Sequence, residues 1–158
     1  MRPGISCIAN YRRYAGAMFD HCLYFNTTAL ARVLEKEWTV AFAGFGLTPP
    51  QAFLLRLVLD QPGLSQRELA DAMTIARPTA TRALDGLEQR KLIRRRAGDT
   101  DAREQRIHPT AEAEAIKDEL NAASGKVTRR LKQLLGPQMF EQTVGKIRAV
   151  RAAIGGEE

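Results

Sequence analysis

The sequence has little of what metal enzymes, secreted domains and membrane proteins are built on. It holds two cysteines, Cys7 and Cys22, too few for a disulfide framework and without the spacing of a metal site. Its two histidines, His21 and His108, stand alone. There is no H-E-x-x-H, no glycine-rich phosphate loop, no G-x-S-x-G and no C-x-x-C, so no catalytic set, metal or cofactor is expected. No apolar run reaches 18 residues, and nothing apolar follows Arg12-Arg13 as a leader would require. The expectation is a reduced, cytoplasmic protein with no membrane partner.

Positive charge is in surplus and unevenly placed. Of a formal net charge of +6, residues 76–108 supply +4, from nine Arg or Lys against five Asp or Glu. A basic segment this dense points to nucleic acid.

The segment follows two short amphipathic patterns joined by about four residues, the arrangement of a helix-turn-helix. Ser65 with Glu68 makes a capping box that starts the first helix. Leu69, Ala70 and Met73 give it a narrow apolar face, and Ile75 fills the turn. Pro78 fits the first turn of the second helix. Ala80, Leu84 and Leu87 then face inward, leaving Thr79, Thr81, Arg82, Asp85 and Gln89 outward. Hydroxyls beside a long cation suit the reading of base edges in a major groove.

Two β-prone runs come next, Leu92–Arg96 and Gln105–His108, around the turn residues Ala97-Gly98-Asp99-Thr100-Asp101. A charged hairpin directly after a helix-turn-helix is a wing. With Leu87-Glu88, Leu92-Ile93, the D-x-R pattern Asp101-Ala102-Arg103, and Arg106-Ile107 leading to Thr110, the segment resembles the MarR family of bacterial transcription regulators. Cys22-Leu23-Tyr24-Phe25-Asn26, Arg32 and Gly46-Leu47-Thr48-Pro49-Pro50-Gln51 extend the likeness to roughly residues 20–155. Lys91 stands where that family usually has a helix-ending glycine, Ala76 where an acidic cap is common, and Pro109 where leucine is usual. Gly86 interrupts the recognition helix at a cost of about 1 kcal/mol relative to Ala.

The resemblance implies a mainly α fold with a small antiparallel β wing, flanked by long N- and C-terminal dimerisation helices. It also implies a homodimer on a pseudo-palindromic double-stranded DNA operator, most simply as a repressor. The residues expected to meet DNA are Ser65, Gln66, Arg67, Arg77, Pro78, Thr79, Thr81, Arg82, Arg94, Arg95, Arg96, Arg103 and Arg106, with Asp101 shaping the wing. Members of the family bind small aromatic or phenolic anions in a cleft between their lobes. Here His21, Cys22, Phe25, Trp38 and Phe42 would line it and Arg56 would supply a cation. Two other readings fit fewer residues. A protein-interaction adaptor has no reason to carry +4 on its reading face, and a cysteine-based redox sensor would want a Lys or Arg beside Cys22.

In chain order, residues 1–14 are expected to form an arm and residues 15–46 an N-terminal dimerisation helix closed by Gly44 and Gly46. The DNA-binding domain then covers residues 47–109, with a nearly all-apolar helix from Thr48 as its spine. Two dimerisation helices complete residues 110–158. The first follows the cap Thr110 with a coiled-coil-like seam of Ala113, Ile116, Leu120, Ala123, Val127, Leu131 and Leu134. Gly136-Pro137 breaks it, and Phe140, Val144, Ile147, Val150 and Ile154 line the last helix. That much apolar face predicts association, with Leu120, Val127 and Ile147 losing surface on dimerisation.

Overall fold

A computed structural model describes residues 18–98 and 105–155. The arm and the residues Asp99–Glu104, Asp101 and Arg103 among them, lie outside the described residues. Contacts divide the chain into two units, Met1–Glu37 and Trp38–Glu158.

In the first unit, helix α1 (Leu23–Phe42, its last five residues belonging to the second unit) starts eight residues later than the apolar pattern from Ala15 predicts. Met18 through Cys22 form a turn instead. Asn26 fastens this turn to the helix start: its Nδ2 donates to the carbonyls of Phe19, Asp20 and Cys22 at 2.9–3.1 Å, while its N–H makes the first helical bond to Cys22 O. Cys22 stands just before the helix, and its Sγ accepts from the Phe25 N–H at 3.5 Å. Phe19 stacks on Phe25 with centroids 5.1 Å apart.

In the second unit, α1 ends in a 3-10 turn (Ala43–Phe45) closed by Gly46 at φ 64°. Helix α2 (Pro49–Asp60) opens with Gln51 Oε1 accepting from both the N–H and the hydroxyl of Thr48, at 3.1 and 3.2 Å. It is the spine its composition predicts: Ala52, Leu54, Leu55 and Val58 are fully buried. Around it pack Phe42, Leu47, Leu69, Leu84, Leu87, Ile93, Ile107, Ala113 and Leu120. Burying the larger of these side chains, all but Ala113, at about 1.5–3 kcal/mol each is the main force that holds these elements together.

Strand β1 (Leu64–Ser65) leads into α3 (Gln66–Met73), a three-residue turn and α4 (Arg77–Gln89). The wing strands are β2 (Ile93–Ala97) and β3 (Gln105–Pro109). The sheet order is β1-β3-β2, antiparallel throughout, with Leu64 opposite Ile107 and Arg95 opposite Ile107 on its other side. The third strand, β1, is too short for a sequence period to reveal.

Helix α5 (Ala111–Leu135) starts at Thr110, whose Oγ1 accepts from the Ala113 N–H at 3.3 Å, and Gly136 separates it from α6 (Pro137–Gly155). One expectation fails here. Leu120 is fully buried and Val127 nearly so within the single chain, so neither has surface to lose on association. The α5 seam drifts inward because a 3.6-residue helix turns part of a three-and-four stripe onto α2. On α6 no residue is buried; Val144, Ile147 and Ile154 stay 42–70% exposed. No single helix among the described residues is long and apolar enough to cross a membrane.

Candidate nucleic-acid interface

The helix-turn-helix is set by its caps. Ser65 Oγ accepts from the Glu68 N–H at 3.2 Å, and Glu68 Oε2 accepts from the Ser65 N–H at 2.7 Å. The Ser65 N–H, then its hydroxyl, then Arg106 hold the Glu68 carboxyl below its ordinary pKa. Thr74 ends α3 in the left-handed region at φ 53°, where its N–H bonds Asp71 O and Ile75 N–H reaches Ala70 O. A β-branched residue there is strained, and the turn pivots on it. Ala76 gives α4 no side-chain cap, but Pro78 has no N–H to satisfy and the Thr79 and Ala80 N–H groups bond Ala76 O.

On α4, Ala80, Leu84 and Leu87 are fully buried as their spacing predicts, and Arg77, Pro78, Thr79 and Arg82 are exposed. Arg82 Nε donates to its own helix at Pro78 O, 3.2 Å away. A shallow groove of about 390 Å³ lies beside it, lined by Thr48, Gln51, Thr79, Arg82 and Ala83. At the same crossing Gln51 Nε2 lies in the space a Cβ at Gly86 would need, so a larger residue there would make that side chain shift. Thr81 is half-buried and bonded to Gln66, whose Nε2 donates to its Oγ1 at 2.6 Å. Arg67 is exposed and pairs loosely with Asp71 at 3.7 Å.

The arginine run divides by strand parity. Arg94 and Arg96 are exposed, whereas Arg95 shares the side of the buried Ile93 and is turned toward α4. There Nη2 meets Asp85 Oδ1 at 2.6 Å and Nη1 meets Glu88 Oε2. Arg106 is likewise engaged inside the chain, with Glu68 Oε2 at 3.0 Å and Gly63 O at 3.3 Å. The sequence assigns both arginines to the DNA-facing set, but both have carboxylate partners from the helix-turn-helix. The parity with Ile93 was visible in the sequence, but the partners across the fold were not.

Of the residues expected around an effector, Trp38, Phe42 and Arg56 belong to the second unit and His21, Cys22 and Phe25 to the first. Arg56 donates from Nε to Asn121 Oδ1 at 2.7 Å and from Nη1 to Ser124 Oγ at 3.0 Å, and its guanidinium lies over Phe53. Partial burial pushes its pKa down. Trp38 Nε1 donates to the same Ser124 oxygen at 3.3 Å. Asn121 and Ser124 were not anticipated, because α5 reads as an apolar seam. Phe42 is fully buried, edge-on to Phe53. A cleft of about 510 Å³ is lined by other residues: Gly44, Phe45, Arg90, Leu92, Ile116 and Glu119.

Residues 45–104 match the sequence model of the MarR family. The chain is 30% identical over 117 residues to the HTH-type transcriptional regulator MgrA of Staphylococcus aureus, an alignment covering 66% of this chain and 80% of that one. Its fold matches the transcriptional repressor CouR bound to a 23-mer DNA duplex, with a TM-score of 0.77, 24% identity and coverage of 84% and 94% of the two chains. It also matches MepR of S. aureus in a DNA complex, at 0.74, 20%, 84% and 97%. With a relative that close and that fully covered, the chain belongs to the MarR family of winged helix-turn-helix, DNA-binding transcriptional regulators.

Proposed function

We propose that the chain acts as a homodimeric repressor that places one α4 in each of two successive major grooves of a two-fold-related site, with the wing over the adjacent backbone and minor groove. The observation that carries this is the exposed face of α4 and β2, where Arg77, Thr79, Arg82, Arg94 and Arg96 all stand open while Arg95 and Arg106 brace the scaffold beneath them. Arg82 can reach guanine O6 and N7; the wing arginines suit phosphates and a narrow minor groove. Gln66, Arg67 and Pro78 lie at the two helix starts that would approach the backbone, whereas Ser65 is buried with its hydroxyl and N–H both engaged by Glu68. The apolar face that α6 leaves open is the surface for a second copy.

The effector in this reading is a small aromatic acid, its carboxylate meeting Arg56 and its ring meeting Trp38. It releases DNA by binding one dimer geometry better than the other; equal affinity for both would shift nothing.

Duplexes selected from a random pool, titrated by fluorescence anisotropy at two salt concentrations beside sedimentation of the free protein, test the proposal. A dimer whose affinity for a two-fold site drops steeply with salt is expected. A folded monomer at micromolar concentration, or binding indifferent to salt, would overturn it.

A further inference from the structure

The Thr81 hydroxyl carries one proton, and that proton is given to the carbonyl of Arg77, 2.9 Å away. The same oxygen is met at 2.6 Å by Nε2 of Gln66, from the first turn of α3. Because the hydroxyl already donates, it can only accept from Gln66, so the glutamine must turn its amino group and not its carbonyl toward Thr81. The hydroxyl is thereby committed within the helix-turn-helix and has no proton to offer a base edge. Beside one remaining lone pair, which can only accept, what Thr81 has left on a half-exposed side chain one residue before Arg82 is its γ-methyl. Rotating χ1 to bring the hydroxyl outward would break the bonds to Gln66 and Arg77 together.

The one base feature of the major groove that takes an apolar partner is the C5-methyl of thymine. We infer that Thr81 is a specificity-determining residue that selects thymine through its methyl group, with Gln66 as the positioning residue that holds the rotamer. This rests on the reading of α4 as the major-groove helix. It reverses what the sequence suggests, since a threonine on a reading helix is first taken for a hydrogen-bonding hydroxyl.

Uracil differs from thymine only in lacking the methyl, so the test is chemical. In a duplex selected by the full chain, each thymine is replaced singly by deoxyuridine, and wild type, Thr81→Ser and Thr81→Val are titrated against every version. Wild type should bind about fourfold more weakly at one thymine, the scale of a single buried methyl or methylene. Thr81→Ser keeps the hydroxyl and both of its bonds, so its melting should match wild type, and it should be indifferent to uracil there. Thr81→Val keeps a methyl in the same place and should keep the sensitivity. The inference is overturned if wild type tolerates uracil at every position, if Thr81→Ser retains the sensitivity at the same thymine, or if folded Thr81→Val loses it. Wild type binding no duplex with sequence preference would instead overturn the reading of α4 itself, and the inference with it.

Discussion

The side-chain hydroxyl of Thr110 donates to the main-chain carbonyl of Lys91 over 2.7 Å, fastening the residue that starts α5 to the residue that ends the recognition helix. Lys91 sits there in the left-handed region at φ 60°, its N–H bonded to Glu88 O at 2.8 Å and the Leu92 N–H to Leu87 O at 3.0 Å. Those two bonds make a Schellman motif with lysine in the place of glycine. Lys91→Gly should therefore stabilise the protein by about 0.5–1 kcal/mol, the relief of strain being partly offset by a freer unfolded chain. Thr74→Gly should gain at least as much, because a β-branched residue tolerates that region less well. Thermal melting checks both; a lower melting temperature for either would contradict the strain assigned to that turn.

Arg95 joins the wing to the recognition helix through Asp85 and Glu88. Its side chain is 18% exposed and its partners 47% and 40%, so the pairs are only partly screened. Arg95→Met should cost about 1–2 kcal/mol, discounted for solvent at the acids. The double variant Asp85→Asn with Glu88→Gln removes two negative charges and so raises the net charge by about two. It should nonetheless weaken DNA binding, because the wing loses its tether; tighter binding at moderate salt would show that bulk charge outweighs the tether.

Glu68 is ionised more readily in the fold than in the unfolded chain, so its contribution to stability is present above its ordinary value of 4.5 and lost as pH falls through the lower, folded value. Melting temperatures of wild type and Glu68→Gln should differ at pH 6 and converge as the pH is brought below 4.5. A constant gap down to pH 3 would mean that the cap does not depend on the carboxylate charge.

Arg82→Ala should cost on the order of 1–3 kcal/mol on a selected site and relax discrimination at one base pair per half-site. Arg103→Ala should weaken binding with base preferences nearly intact, and lower the salt slope by about one unit if that side chain meets phosphate. Asp101→Ala should weaken binding too, despite removing a negative charge. Competition titrations against single-base variants separate the three, and a gain in affinity on Asp101→Ala would remove the structural role given to it.

Ile147→Asp places a carboxylate on the open apolar face of α6. In a dimer that uses this face it would be buried without a partner, so the variant should sediment as a monomer or unfold, and lose tight DNA binding. A folded dimer of wild-type affinity would move the interface elsewhere.

How far the sequence carries the structure can be judged residue by residue. Ser65–Glu68, Thr110, Pro78, Gly136-Pro137 and the inward set Ala80, Leu84 and Leu87 act through neighbours three or four positions away, so spacing exposes them. Leu120 and Val127 were misassigned because periodicity identifies an apolar face but not what covers it. The start of α1 was misplaced because the apolar pattern runs on through a turn that the Asn26 carboxamide fastens to the helix start. Composition locates the arginines, but which are spent on Asp85, Glu88 and Glu68 depends on contacts 7 to 38 residues apart.

The order β1-β3-β2 leaves β2 with one side that no strand among the described residues pairs. An unpaired strand edge invites another chain to add to it, and such edges are kept apart by charge. Arg94 and Arg96 stand exposed along this one, with Arg95 between them already paired to α4, so two molecules meeting edge to edge would bring like charges together. On the proposed reading, the exposed arginines that would meet DNA would also keep unbound molecules from joining through their wings. Variants meant to silence DNA binding should replace these arginines with glutamate or glutamine; valine or isoleucine would open a route to aggregation that has nothing to do with the operator.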